Sequence, residues 1–186
     1  MIRFLPDGRK QQQQKEKNDP PENARKGCSP ADKSIQERRM RMIRDKSCGA
    51  VVYRILNGEM QFLIEHMIRG HFSIPKGHPE GDESEEETAR REIREETSLE
   101  VRLDTAFRED AFYSHTEGVQ KQVVCFTAEA LPGELMRQEA ELLSLEWMPW
   151  EQAVRKVTDD SVREVLMHAA EYLRRKHADR LNSSAG

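Results

Sequence analysis

The sequence predicts an α/β fold, a mixed sheet sandwiched between helices. Three observations carry this expectation. Apolar residues concentrate after residue 45: residues 1–45 hold 11 of the 67 apolar side chains, and the other 141 residues hold 56. The elements follow in the order strands, helix, strands, helices, without the strict alternation that builds a doubly wound parallel sheet. No internal repeat divides the 186 residues, a length that suits one domain with an appendage. The expected organisation is a basic N-terminal extension over 1–44, a domain over 45–178 and a short tail over 179–186.

Each element has its own signal. Residues 1–44 include QQQQKEKNDPPENARKG, with no apolar period of 2 or 3.6, so disorder is expected there. SIQERRMRMIRD within it reads as a short basic helix, and Met40 or Met42 stands as an alternative start. From Cys48 to Ile55, β-branched and aromatic residues predict a strand, Asn57-Gly58 a turn, and Met60 to Met67 the returning strand. Phe72 to Pro75 is a short extended piece. A charged helix is expected from Glu85 to about Thr97, then strands over Val101–Phe107, Gln122–Ala130 and Leu142–Met148. Pro149 suits the first position of a helix over WEQAVRKV. Val162, Val165, Leu166, Ala169 and Leu173 share one face of a last helix from about Ser161 to Lys176, capped by Thr158 to Asp160.

Charge and composition remove several functions. Residues 1–45 carry 12 basic and 7 acidic side chains, the remainder 18 and 27. An acidic domain is poorly suited to non-specific nucleic-acid binding, which needs clustered cations. A phosphate-handling domain of this charge needs a divalent cation. No apolar run is long enough to span a bilayer, and no secretory signal opens the chain. Cys28, Cys48 and Cys125 are odd in number and widely spaced, which fits free thiols in a cytoplasmic protein.

The segment that carries chemistry is PKGHPEGDESEEETARREIREETSL, residues 75–99. Ser84 and Glu87 form a capping box, and Glu85 to Glu87 suit the positive end of a helix dipole. Ala89 and Ile93 form its buried stripe, while Glu92, Glu95 and Glu96 fan over about a third of the circumference. Such carboxylates are either a solvated face or a hard-cation site.

The spacing resembles the Nudix box: Gly, five residues, Glu, seven residues, then Arg-Glu-apolar-any-Glu-Glu-any-Gly-apolar. Gly77, Glu83, Arg91, Glu92, Ile93, Glu95, Glu96 and Leu99 match, and Ser98 replaces the last glycine. The resemblance covers about residues 46–175 and implies a Nudix-type α/β/α sandwich whose box is a loop-helix-loop. The entry Pro75-Lys76-Gly77-His78 is similar to the diadenosine tetraphosphate hydrolase branch, with diphosphoinositol polyphosphate phosphohydrolases sharing it.

The resemblance implies hydrolysis of a phosphoanhydride in a nucleoside polyphosphate, with magnesium, or manganese, as cofactor. Glu92, Glu95 and Glu96 would be metal ligands, helped by a backbone carbonyl of Lys76 or Gly77. Arg91 and Glu83 would pair to hold the loop against the helix. Glu141 is the candidate general base or extra metal ligand. Lys121 would contact a phosphate, the alternative being a lysine guarding an edge strand. Beside the resemblance, Lys76 and His78 in the turn before the helix could also face phosphates, and Tyr113 and His115 read as a polar loop that is either ordinary exposed surface or a place for a base to stack. The expected product is ATP plus AMP from diadenosine tetraphosphate. Alternatives are a diphosphoinositol polyphosphate, an RNA 5′ end, a nucleoside triphosphate, or a nucleotide sensor that does not cleave. The partner is a small nucleotide, and the chain is a monomer or homodimer.

Overall fold

The computed structural model describes residues 43–116 and 119–183, with side chains over 45–114 and 119–178. Residues 1–42, with most of the expected N-terminal extension and Cys28, lie outside the described residues; Ile43, Arg44 and Asp45, expected to end the basic helix, instead open β1. Strands β1 (Ile43–Leu56) and β2 (Glu59–Met67) form a hairpin around Asn57 and Gly58. Both turn residues take positive φ, 52° and 82°, as a two-residue turn with the right-handed strand twist requires. Two short strands follow, β3 (Phe72–Ser73) and β4 (Lys76–Gly77). Helix α1 (Glu85–Thr97) leads to the long strands β5 (Val101–Thr116) and β6 (Val119–Ala130). The chain then forms β7 (Leu142–Pro149), α2 (Trp150–Lys156) and α3 (Asp160–Ser183).

One sheet holds these strands in the order β3-β2-β1-β6-β5, with β4 also on β1 and β7 also on β2. It is mixed: β1 and β6 run parallel, and the other pairs are antiparallel. The two-residue alternation of strands sorts side chains into two cores. Cys48, Ala50, Val52, Leu63, Val124 and Phe126 pack toward Ala89 and Ile93 of α1. Val51, Tyr53, Phe62, Ile64, Val123 and Cys125 pack toward Val162, Val165, Leu166, Ala169 and Leu173 of α3.

Four further expectations about the elements are corrected. The strand expected to end at Phe107 continues to Thr116, with its register shifting between Asp104 and Arg108. The bulge lets Phe107 leave the ladder and meet Tyr172 of α3, ring centroids 5.5 Å apart. Tyr113 therefore lies in β5, opposite Lys121 of β6, and not in a loop. Pro149 precedes α2 as its cap residue. Helix α3 runs past Lys176 to Ser183, because nothing in HADRLNS breaks a helix.

Helix α1 carries the expected capping box, Ser84 accepting from Glu87 N while Glu87 accepts from Ser84 N. Asp159 caps α3, its carboxylate accepting from the amides of Ser161 and Val162. Ser98 ends α1 in the left-handed region, φ 62°, its N–H donating to the Arg94 carbonyl. A Cβ there costs about 1 kcal/mol. Ser98→Gly should therefore stabilise the protein by about 0.5–1 kcal/mol, read as a higher midpoint in urea.

Candidate active site

The box loop reaches the sheet through two close approaches that need glycine. A Cβ on Gly49 would lie 2.0 Å from the Pro75 carbonyl oxygen, and one on Gly77 would lie 2.0 Å from the Glu92 carboxyl carbon. With those atoms absent, β4 lies between β1 and the C-terminal half of α1. The Lys76 amide then donates to Glu96 Oε2 at 2.9 Å.

Arg91 organises the front of the loop. Its guanidinium forks onto Glu83, Nε to Oε1 at 2.8 Å and Nη2 to Oε2 at 3.0 Å. It also donates to Glu92 at 2.9 Å, Glu95 at 3.0 Å and the His78 carbonyl at 2.8 Å. Hydrogen bonds from Arg91 hold the Glu83 carboxyl down at about 2. A second ion-pair set, Lys46–Glu85–Arg108, ties the start of α1 to β1 and β5.

Behind this front lies a buried pair that the box pattern does not contain. Glu65 of β2 is fully buried, and Glu96 is 2% exposed. Their carboxyl groups lie within hydrogen-bonding reach of each other, and no other group reaches either Glu65 oxygen. Burial pushes the Glu65 carboxyl up to about 7, and burial with the neighbouring Glu65 charge raises Glu96. Burial likewise raises Glu92. Lys76 supplies the local positive charge: burial works against its ammonium, but Glu96 and Glu65 hold it charged.

A cleft of about 1030 Å³ opens over these groups. Glu92, Glu96 and Glu141 line it together with Lys76, Gly77, His78, Tyr113 and Lys121. Glu83, Arg91 and Glu95 do not line it. Lys121 sits on β6 in the interior of the sheet, so the edge-guard alternative falls. It meets Asp45 at 3.3 Å, and His78 Nε2 meets the same carboxylate at 2.5 Å. Burial lowers the Lys121 pKa despite Asp45. Glu141 is exposed at the rim, its backbone carbonyl accepting from Ile68 N at 2.9 Å. His115's side chain lies outside the described residues.

The three box glutamates do not converge as the resemblance implied. Among the described residues, no three Asp, Glu, His or Cys side chains gather into a metal-holding cluster. Arg91 takes Glu92 and Glu95, while Glu96 turns to the Lys76 amide and Glu65. The donor set nevertheless fits a hard cation: it is all oxygen, and Glu96, which accepts from the Lys76 amide, lies against the buried Glu65 carboxyl. Glu65 was missed because it lies in a strand outside the box. The available signal was its position two residues after Leu63, on the face that packs under α1.

A family model described as NUDIX domain matches residues 47–169, and the chain belongs to that family. It is 32% identical over 120 residues to a Mycobacterium tuberculosis protein named as mutator protein MutT4. That match covers 60% of this chain and 48% of the relative, so the chain spans about half the relative's length. The crystal structure of a C. elegans Ap4A hydrolase binary complex aligns with a TM-score of 0.65 at 26% identity, covering 70% of this chain and 98% of that one. The NUDIX domain of Shewanella oneidensis NrtR complexed with ADP ribose aligns with a TM-score of 0.60 at 19% identity, covering 69% and 88%. At that identity the second match shows a shared fold.

Two predictions follow from the electrostatics. From about pH 4.5, where an unfolded glutamate releases its proton, to about 7, where Glu65 does, Glu65 binds more proton in the folded chain than in the unfolded one. Stability in EDTA should therefore fall as pH rises through that window, and Glu65→Gln should flatten the fall in a melting series. Arg91→Lys should lower the melting temperature, because an ammonium cannot reproduce the fork onto Glu83 while holding the His78 carbonyl.

Proposed function

We propose that this chain is a divalent-metal-dependent Nudix hydrolase that cleaves a phosphoanhydride in a nucleoside polyphosphate. Diadenosine tetraphosphate, giving ATP and AMP with uptake of one water, is the leading substrate. The observation that carries the reading is the cleft itself: carboxylates of α1 and the basic residues Lys76 and Lys121 line the same cavity. A polyphosphate needs both, a cation-binding part for the reacting phosphates and fixed positive charge for the distant ones. The likeness to the C. elegans Ap4A hydrolase supports the substrate.

Glu92 and Glu96, which line the cleft, would hold magnesium, or manganese, with a carbonyl of Lys76 or Gly77, and Glu95 of the same helix would join them on leaving Arg91. The bound cation would neutralise phosphate charge and acidify the attacking water. The chain's own groups do the rest. Arg91 and Glu83 hold the loop so that Glu92 stays against Gly77. Glu141, exposed at the rim with its backbone tied to Ile68, is placed to accept the proton of the water. Lys121, buried beside Asp45, and Lys76 hold phosphate oxygens remote from the cleaved bond. Tyr113, half-buried on β5, and His78 border the same path.

The test is incubation with diadenosine tetraphosphate and magnesium, with products separated by chromatography. Wild-type protein should yield ATP and AMP, and Glu96→Gln should lose at least about 100-fold in kcat with its fold intact. Gly77→Ala should show a loss of about the same size, since its Cβ displaces the Glu92 carboxylate. Turnover unchanged in Glu96→Gln would reject the assignment. Products from another phosphoanhydride alone would replace the substrate and keep the class.

A further inference from the structure

Glu65 is a charged residue at a position where the sheet calls for an apolar one. On β2, Leu63 and Glu65 share the face that packs under α1. Leu63 meets the apolar cluster of Ala89 and Ile93. One step along, Glu65 meets Glu96, and its cross-strand neighbours are Ser73 and Leu145. Neither neighbour donates to it: both carboxylate oxygens are buried, and the polar group that meets them is the Glu96 carboxyl. The largest charges acting on Glu65 are those of Lys76, Glu141 and Glu92, beside the Glu96 carboxyl, and of these carboxylates Glu92 is also held by Arg91.

A buried carboxylate without a donor is costly, and an apolar side chain would relieve the cost. The geometry supplies a gain that offsets it. Glu65 approaches from the sheet the same carboxylate that α1 offers to the cleft. We propose that Glu65 is an additional carboxylate ligand of the divalent-cation site, reaching from β2 the cation that Glu96 reaches from α1. This rests on the metal-dependent reading above. It extends the ligand set beyond the box, to a residue whose oxygens come from a rigid strand in the sheet.

The experiment measures Mn²⁺ binding to the full chain without nucleotide, by the paramagnetic resonance signal of free Mn²⁺ and by the melting-temperature rise on adding Mn²⁺. Wild type, Glu65→Gln, Glu65→Asp and Glu96→Gln are compared. Glu65→Gln should bind Mn²⁺ at least about tenfold more weakly, while melting in EDTA at pH 8 no lower than wild type. A merely structural role would lower that melting temperature and leave Mn²⁺ affinity alone. Wild-type Mn²⁺ affinity in Glu65→Gln, with affinity lost in Glu96→Gln, overturns the role of Glu65 and leaves the metal reading standing. No Mn²⁺ binding by wild type, or wild-type affinity in Glu96→Gln, overturns the metal reading itself and this proposal with it. If Glu65→Gln does not fold, Glu65→Asp decides: weakened Mn²⁺ binding supports the ligand and unchanged binding overturns it.

Discussion

The site depends on one contact, the approach of the Lys76-Gly77 strand to the C-terminal half of helix α1. It places a backbone amide 2.9 Å from Glu96 and the Glu92 carboxylate where a Gly77 side chain would be. Two missing side chains permit it. Gly49 lets the Pro75 carbonyl sit against β1, and Gly77 lets the helix carboxylate sit against β4. Either Cβ would require backbone or a half-buried carboxylate to move, in an interior too densely packed to yield. The positions of Glu92, Glu96, Lys76 and the cleft above them all follow from that approach.

Around this contact the charges divide into two regimes. At the front, Arg91 satisfies several acceptors at once, and the Glu83 carboxyl is stabilised as an anion. Behind, Glu65 and Glu96 face each other in the interior with one ammonium between them, and burial favours their neutral forms. The two regimes meet at Glu92, which is half-screened by Arg91 and half-desolvated. A front saturated by arginine holds the scaffold rigid, and a back short of positive charge is receptive to a cation.

The sheet supplies the cationic part of the cleft. Parallel pairing of β1 with β6 sets Asp45 opposite Lys121, and antiparallel pairing of β5 with β6 sets Tyr113 opposite the same lysine. Three segments far apart in sequence are thereby fixed in register beside the box loop. Asp45 holds Lys121 and His78 in place, which a flexible surface lysine would lack.

Much of this could be read from residues in order. The hairpin turn at Asn57-Gly58, the capping box at Ser84, the buried stripe of Ala89 and Ile93, and the apolar face of α3 are local patterns, set by dihedral preference and periodicity. The box spacing likewise marked the residues around one helix. The length of β5 was not legible, because its bulge is held by Phe107 packing on Tyr172, a partner 65 residues away. Glu65 was hidden for a related reason: a strand glutamate is ordinarily solvated, and only the assembled fold, with β3 and β7 on either side and Glu96 against it, buries it. The sequence by itself determined the elements, their caps and the carboxylate-bearing helix, because each rests on neighbours within a few residues. The tertiary structure decided which carboxylates are paired with arginine and which are left against each other, because that depends on what the fold removes from water.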